Sequence, residues 1–433
     1  MCTIALGKAT PCYNLHMPKH VSRWLKKLGP GFITGAADDD PSGIATYTQV
    51  GAQFGLAQLW TAAVTLPCMI AVQEMSARIG LAAGQGLGAI IRKNYPRWVM
   101  WSFITLLIIA NTLNIGADMG AMSEAVQLLI PRAPFVVIAL GFTALILILE
   151  ILVTYKTYVT ILKWFAFTLL GYLITAIIVT TDWISLLTHA VLPTIHLKRE
   201  FMLGLVAVLG TTISPYLFIW QSHEEVEEKI ALGRTTVAAR KGIATNEIKA
   251  MRQDVILGMS FSNLIMFCII ATAAAVFFRH GITDIQTSAQ AARALEPLAG
   301  RFATLLFTLG IIGTGLLTIP ILSASASYMI ADACGWSNGL YKKFRHAHGF
   351  YGVITLSTLI GLLINFIGIG SIKALIFVAI LNGLITPPLL IVMLAIANNK
   401  QLMGRHVNGR LSNVLVSVTI VGMTLAGTLM FVL

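Results

Sequence analysis

Eleven runs of predominantly apolar residues, each long enough to cross a bilayer, recur along this chain, and they constrain it more than any other feature. They fall at about 30–54, 57–80, 98–117, 134–154, 157–181, 202–223, 254–278, 301–330, 350–367, 371–396 and 412–432. In hydrocarbon every backbone N–H and C=O must find its partner within the protein, so runs of this length are satisfied as α-helices. An all-α polytopic membrane protein follows. The 433 residues are 57% hydrophobic and 11% charged, with a mean hydropathy of +0.81, which excludes an ordinary soluble domain. An odd number of crossings puts the termini on opposite sides of the membrane.

Charge decides which side is which. Residues 1–29 carry Lys8, Lys19, Arg23, Lys26 and Lys27 without an apolar core, so they read as a basic cytosolic tail and not as a cleaved signal. With that tail inside, 23 of the 30 Lys and Arg residues fall on inner segments and 7 on outer ones. The N-terminus is therefore expected in the cytoplasm and the C-terminus outside, with a bacterial inner membrane as the setting. The net charge of +12 is a matter of topology and implies no nucleic-acid partner. Five cysteines without paired spacing indicate neither a zinc site nor a disulfide framework. The acidic stretch from His223 to Lys229 reads as a solvated helical extension of the sixth run.

Near the middle of the first run stand Asp38, Asp39, Asp40, Pro41, Ser42 and Gly43. A carboxylate at that depth costs about 2.5–3.5 kcal/mol even on lenient insertion scales, so the segment is expected to line a polar cavity. Pro41 lacks an N–H and disfavours helix at Asp40, which predicts two half-helices meeting there. The sixth run holds a matching interruption, Gly210-Thr211-Thr212-Ile213-Ser214-Pro215-Tyr216. Two broken helices, each opening a five-helix half, are the pattern of an inverted-repeat transporter with its site at the midplane. The repeats would span about 30–181 and 202–396, making a ten-helix core of 30–396. Residues 397–433 add a loop and an eleventh helix.

Half-helix carbonyls and three carboxylates favour a cation and repel a carboxylated solute. Aspartate, threonine and serine oxygens are hard ligands suited to Mg, Ca or Mn, and neither break contains Met, His or Cys. The ion is cargo, so no cofactor is expected, and no grouping of nucleophile, base and ligands indicates an enzyme. Asn111, Asn114 and Asp118 share one face of the third run, fit either for a water path or for bonds between helices. Asp118 itself reads as solvated near the outer interface. Gln49 and Gln53 are expected to face the cavity, and Asn382, just before Thr386-Pro387-Pro388, to mark a kink with a gating or structural role.

These segments resemble the natural resistance-associated macrophage protein (NRAMP) family of divalent-metal transporters, which share the LeuT-type fold. The resemblance rests on Gly29-Pro30-Gly31-Phe32 leading to Asp40-Pro41-Ser42-Gly43, on Gln73-Glu74-Met75-Ser76-Ala77-Arg78, and on Gly210 to Tyr216. It implies Asp40 as principal ligand, with Thr211 contributing its carbonyl. The family's metal-binding asparagine falls on Gly43, its methionine on Ser214, its histidine on Tyr216, and the acids of its third helix on Thr112 and Ile115. In these departures the chain is similar to the NRAMP-related magnesium transporters, in which proton coupling is weak or absent. The expectation is a monomeric carrier for Mg²⁺ or Mn²⁺ working by alternating access. Asp38, Asp39, Asp40, Gly43, Thr211 and Ser214 would surround the ion, with Gly43 and Ser214 leaving room for its waters. Pro41, Ser42, Pro215, Tyr216, Gln49, Asn111, Asn114 and Asn382 would shape the pathway. Proton-coupled Mn²⁺/Fe²⁺ symport, with protons as a second partner, and organic-solute symport on the same fold are the alternatives.

Overall fold

The computed structural model describes residues 29–153, 169–179, 182–368 and 370–433. The basic tail, Cys2, Cys12, Lys156, Lys163 and most of the fifth apolar run lie outside them. Among the described residues every regular element is a helix. The first run is two helices, α1 (Pro30–Asp38) and α2 (Pro41–Phe54). Then come α3 (Trp60–Ala83), the short α4 (Leu87–Asn94), α5 (Arg97–Leu129), α6 (Phe135–Leu152) and α7 (Leu170–Val179), the described part of the fifth run. A short helix, α8 (Trp183–Val191), precedes the sixth run, itself divided into α9 (Arg199–Thr212) and α10 (Pro215–Ala231). The remaining spans are α11 (Thr245–Val276), α12 (Ala303–Cys334), α13 (His348–Ile364), α14 (Ser371–Asn398) and α15 (Arg410–Val432). Counting α9 and α10 together and α13 with its last turn, eight helices among the described residues are long and apolar enough to cross a membrane.

Small residues set how closely these helices approach. Gly31 and Gly35 lie on one face of α1 and press against α11, where a Cβ on Gly35 would fall 2.2 Å from the Gly258 backbone. Close approach of this kind supplies helix association where lipid offers no hydrophobic drive. Asp254 of α11 completes the contact by accepting from the backbone N–H groups of Gly29 (2.8 Å) and Gly31 (2.7 Å), so the donors at the start of α1 are satisfied by a neighbouring helix. Elsewhere α5 packs along α12, α13 and α14, while α9 packs on α14 and α10 on α3.

The basic segments gather at one end of the bundle. Arg252 meets Glu74 at 2.8 Å, Arg78 donates to Asn408 at 2.7 Å, and Lys229 donates to the carbonyls of Leu81, Arg240 and Gly242. At the other end Glu124 accepts from Ser288 (2.8 Å) and Ser371 (2.7 Å).

Two expectations are corrected here. The stretch from His223 to Lys229 is helical, as the last part of α10, but His223, Glu224, Glu225, Glu227 and Lys229 are buried. It runs between α3 and α12, where His223 meets Asp332 at 3.0 Å and Tyr328 donates to Glu227 at 2.7 Å. The third run does not end near residue 117, because α5 continues to Leu129 and closes on α13 through Gly116, beside the Gly361 carbonyl. Asp118 is therefore no interface residue: it is completely buried.

Candidate cation site at the two helix breaks

The first break follows from two residue types placed side by side. Pro41 takes the first position of α2, where its missing N–H is no loss, and Asp40 stands before it as N-cap in an extended conformation (φ −67°, ψ 173°). One Asp40 oxygen, Oδ1, accepts from the Gly43 N–H and from the Ser42 hydroxyl, both at 2.6 Å. The other, Oδ2, accepts from the Asn114 side-chain N–H of α5, at 3.2 Å. The triplet then divides between two neighbours. Asp40 looks toward α5, whereas Asp38 at the end of α1 accepts from Ser262 of α11 at 2.5 Å. Asp38 Oδ1 and both oxygens of Asp39 have no hydrogen-bond partner among the described residues, although all three side chains are buried.

The second break repeats the backbone and changes the chemistry. Ser214 is an extended N-cap (φ −86°, ψ 141°) before Pro215, the first residue of α10. Its hydroxyl turns back on α9 and donates to the carbonyls of Gly210 (2.7 Å) and Thr211 (2.9 Å). The two breaks face each other. Thr211 Oγ1 lies 3.4 Å from Ser42 Oγ, and Tyr216 donates to the Ala37 carbonyl at 3.2 Å. Thr318 of α12 donates to that same carbonyl at 3.1 Å, and Thr386 of α14 donates to the Ile213 carbonyl at 2.9 Å.

Of the residues singled out from the sequence, Asp40, Ser42, Thr211, Tyr216 and Asn114 come together at this junction. Asn114 does more than line a path, since it holds Asp40 directly. Gly43 carries no donor group on a side chain and its N–H is engaged by Asp40. Nor does it open a roomy pocket: a Cβ there would lie 3.2 Å from the Asp38 carbonyl and 3.3 Å from Thr211 Oγ1. The Ser214 hydroxyl proton serves its own helix end. Gln49 is displaced from the expected cavity, because its Oε1 accepts from the Ile285 N–H (2.8 Å) and its Nε2 donates to the Thr283 carbonyl (3.2 Å), tying α2 to the loop after α11. Asn111 is a tie between helices, donating to the Leu322 carbonyl and the Ser325 hydroxyl of α12, both at 2.8 Å. Asn382 is buried one turn before Thr386, with its side-chain oxygen unpartnered.

Sequence reasoning missed Ser262 and Thr318. Each is a lone hydroxyl in an apolar helix, a composition that packing explains equally well, and only their pairing with α1 sets them apart. Among the described residues no three carboxylate, imidazole or thiol groups converge on one point.

A bundle of buried, broken and apolar helices around an acidic midplane junction defines a multi-pass integral membrane protein. Its backbone is similar to that of a manganese transporter from Eremococcus coleocola, with a TM-score of 0.73 at 15% identity over 96% of this chain and 88% of that one. It is also similar to Mhp1, a nucleobase-cation-symport-1 family transporter, with a TM-score of 0.57 at 12% identity over 94% and 92% of the two chains. Likeness at this level shows the fold, a LeuT-type transporter bundle. The family model described as natural resistance-associated macrophage protein-like matches residues 31–433, and the chain belongs to that family. Two relatives bearing the name divalent metal cation transporter MntH illustrate its membership. One, from Klebsiella pneumoniae, is 27% identical over 89% of both chains, and one from Caldanaerobacter subterraneus is 26% identical over 96% of both.

Proposed function

We propose that this protein carries divalent metal cations across the membrane by alternating access about its two broken helices. The observation that carries this reading is Asp40. It caps α2 through one oxygen and leaves the other, steadied by a single amide, at a junction lined by the carbonyl end of α1. Relatives named as divalent metal cation transporters support the same class of cargo.

The reading extends to a hard ion of the Mg²⁺ or Mn²⁺ kind. Its support is that the junction offers oxygen donors, Asp40 first, and that the second break holds Ser214 and no sulfur side chain. Mg²⁺ is commonly held by one or two carboxylates and several waters, a role open to Asp40. We place the N-terminus in the cytoplasm of a bacterial inner membrane and the C-terminus outside, on the strength of the basic segments gathered at one end. Coupling to protons is taken as weak or absent, since Tyr216 replaces an imidazole and engages the Ala37 carbonyl. Residues 30–181 and 202–396 are taken as the inverted repeats and the chain as a monomer.

Uptake into proteoliposomes, comparing Mg²⁺, Mn²⁺ and Ca²⁺ with an internal pH reporter, tests the proposal. Uptake by the wild type that vanishes in Asp40→Ala is the expected result. Normal uptake by Asp40→Ala would remove the site, and Mn²⁺ entry that acidifies the lumen would replace the uncoupled reading with proton symport.

A further inference from the structure

The short helix α8 carries its apolar face outward. Ile184, Leu187 and Val191, spaced three and four apart, are 81%, 58% and 71% exposed. Asp182 at its start, Ser185 and His189, spaced in the same way, line a cavity of about 450 Å³ on the side turned to the bundle. A surface helix in water is arranged the other way round, so the outward face of α8 meets lipid. Its level agrees with this. Phe54, which ends α2, and Val179, which ends α7, line the same cavity, and Trp183 is exposed, as aromatic side chains are at a membrane interface. Across the cavity stands α11, where Ala271 and Ala274 leave the space open and Arg279 follows just beyond the helix end. Asp182 and Arg279 carry opposite charges and line one cavity, yet among the described residues neither enters an ion pair, with the other or with any third group. Asp182 accepts from the Ser185 N–H through Oδ1 at 2.9 Å and keeps its charge. His189 Nδ1 lies 2.8 Å from the Ser185 carbonyl, which can only accept, so the neutral ring leaves Nε2 as a further acceptor.

We infer that this cavity binds the headgroup of a zwitterionic phospholipid bearing a primary amine, taken from the surrounding membrane. The phosphate meets the Arg279 guanidinium, whose planar fork of donors suits phosphate oxygens. The ammonium meets Asp182 and His189, and the acyl chains pass out along the apolar face of α8. The cavity lies within the range of about 300–1,000 Å³ usual for small-molecule sites. A primary ammonium has N–H groups to donate to both acceptors, whereas a choline head has none, and a glycerol head lacks the positive charge altogether. The site is separate from the helix breaks and holds whichever ion they carry.

Native mass spectrometry of the full-length protein in detergent, titrated separately with phosphatidylethanolamine, phosphatidylcholine and phosphatidylglycerol, tests this. Phosphatidylethanolamine is expected to bind about 10-fold more tightly than either of the others, the order of one hydrogen bond to a charged group. Arg279→Gln and Asp182→Asn should each erase that preference. Asparagine caps a helix about as well as aspartate, so a loss in Asp182→Asn reports the charge and not the unfolding of α8. Arg279→Lys, which restores the positive charge, should recover part of the binding. Equal binding of the three lipids, an undiminished preference in both uncharged variants, or no recovery by lysine overturns the inference. Soluble phosphoethanolamine that displaces the lipid at equal concentration makes this a site for a free phosphate ester and overturns the lipid assignment. Displacement only at large excess supports it.

Discussion

The two helix breaks share a backbone and differ in what they leave open. Each has an extended N-cap followed by proline at the first helical position, Asp40-Pro41 in one and Ser214-Pro215 in the other. Ser214 directs its hydroxyl into the carbonyls of Gly210 and Thr211, so the second break closes on itself. Asp40 satisfies the start of α2 with one oxygen and presents the other to α5, so the first break retains a charge that its own helix does not consume. The difference teaches that a mid-membrane interruption is a frame and that its chemistry is decided by the capping residue. A serine cap ends a helix; an aspartate cap ends a helix and leaves an anion at its end.

The largest test of this contrast is Asp40→Asn. Asparagine caps helices about as well as aspartate, so the thermal unfolding midpoint should stay near that of the wild type while divalent-cation uptake falls by about 100-fold or more. A fall in stability with uptake retained would reverse the contrast. Ser214→Ala should do the opposite. With two buried carbonyls losing a donor, it should lower stability by about 1–3 kcal/mol in denaturant unfolding, and Mn²⁺ affinity should hold at the wild-type value. A shift in metal preference without loss of stability would make Ser214 a ligand and erase the asymmetry. The smallest effects belong to the bridge between the breaks. Tyr216→Phe and Thr318→Val each remove one of two donors to the Ala37 carbonyl, and each should cost about 0.5 kcal/mol, with the double variant exceeding their sum because the carbonyl is then orphaned. Strict additivity would show that the two hydroxyls act separately.

Much of this could be read from the chain. Pro41 and Pro215 each stand among small polar residues and mark a break, whereas Pro67, Pro320, Pro387 and Pro388 stand inside continuous helices. The apolar runs foretold the spans because hydrocarbon forbids unsatisfied backbone.

Side-chain direction was another matter. Asp38 and Asp40, two residues apart, diverge, one to Ser262 on α11 and the other to Asn114 on α5, and no local rule assigns those neighbours. Gln49 looked like a cavity residue and binds the loop after α11, and Asp118 looked like a surface acid and is buried. Both were misplaced for one reason: depth and facing depend on where a helix ends and on what packs against it. The sequence by itself determined that this chain crosses the membrane as helices, that two of them are broken, and that one break is acidic, because hydrophobicity, proline and charge act within a few residues. Only the tertiary structure decided which carboxylates share a space and which hydroxyls close the second break, because those pairings join residues far apart in the chain through the packing of whole helices.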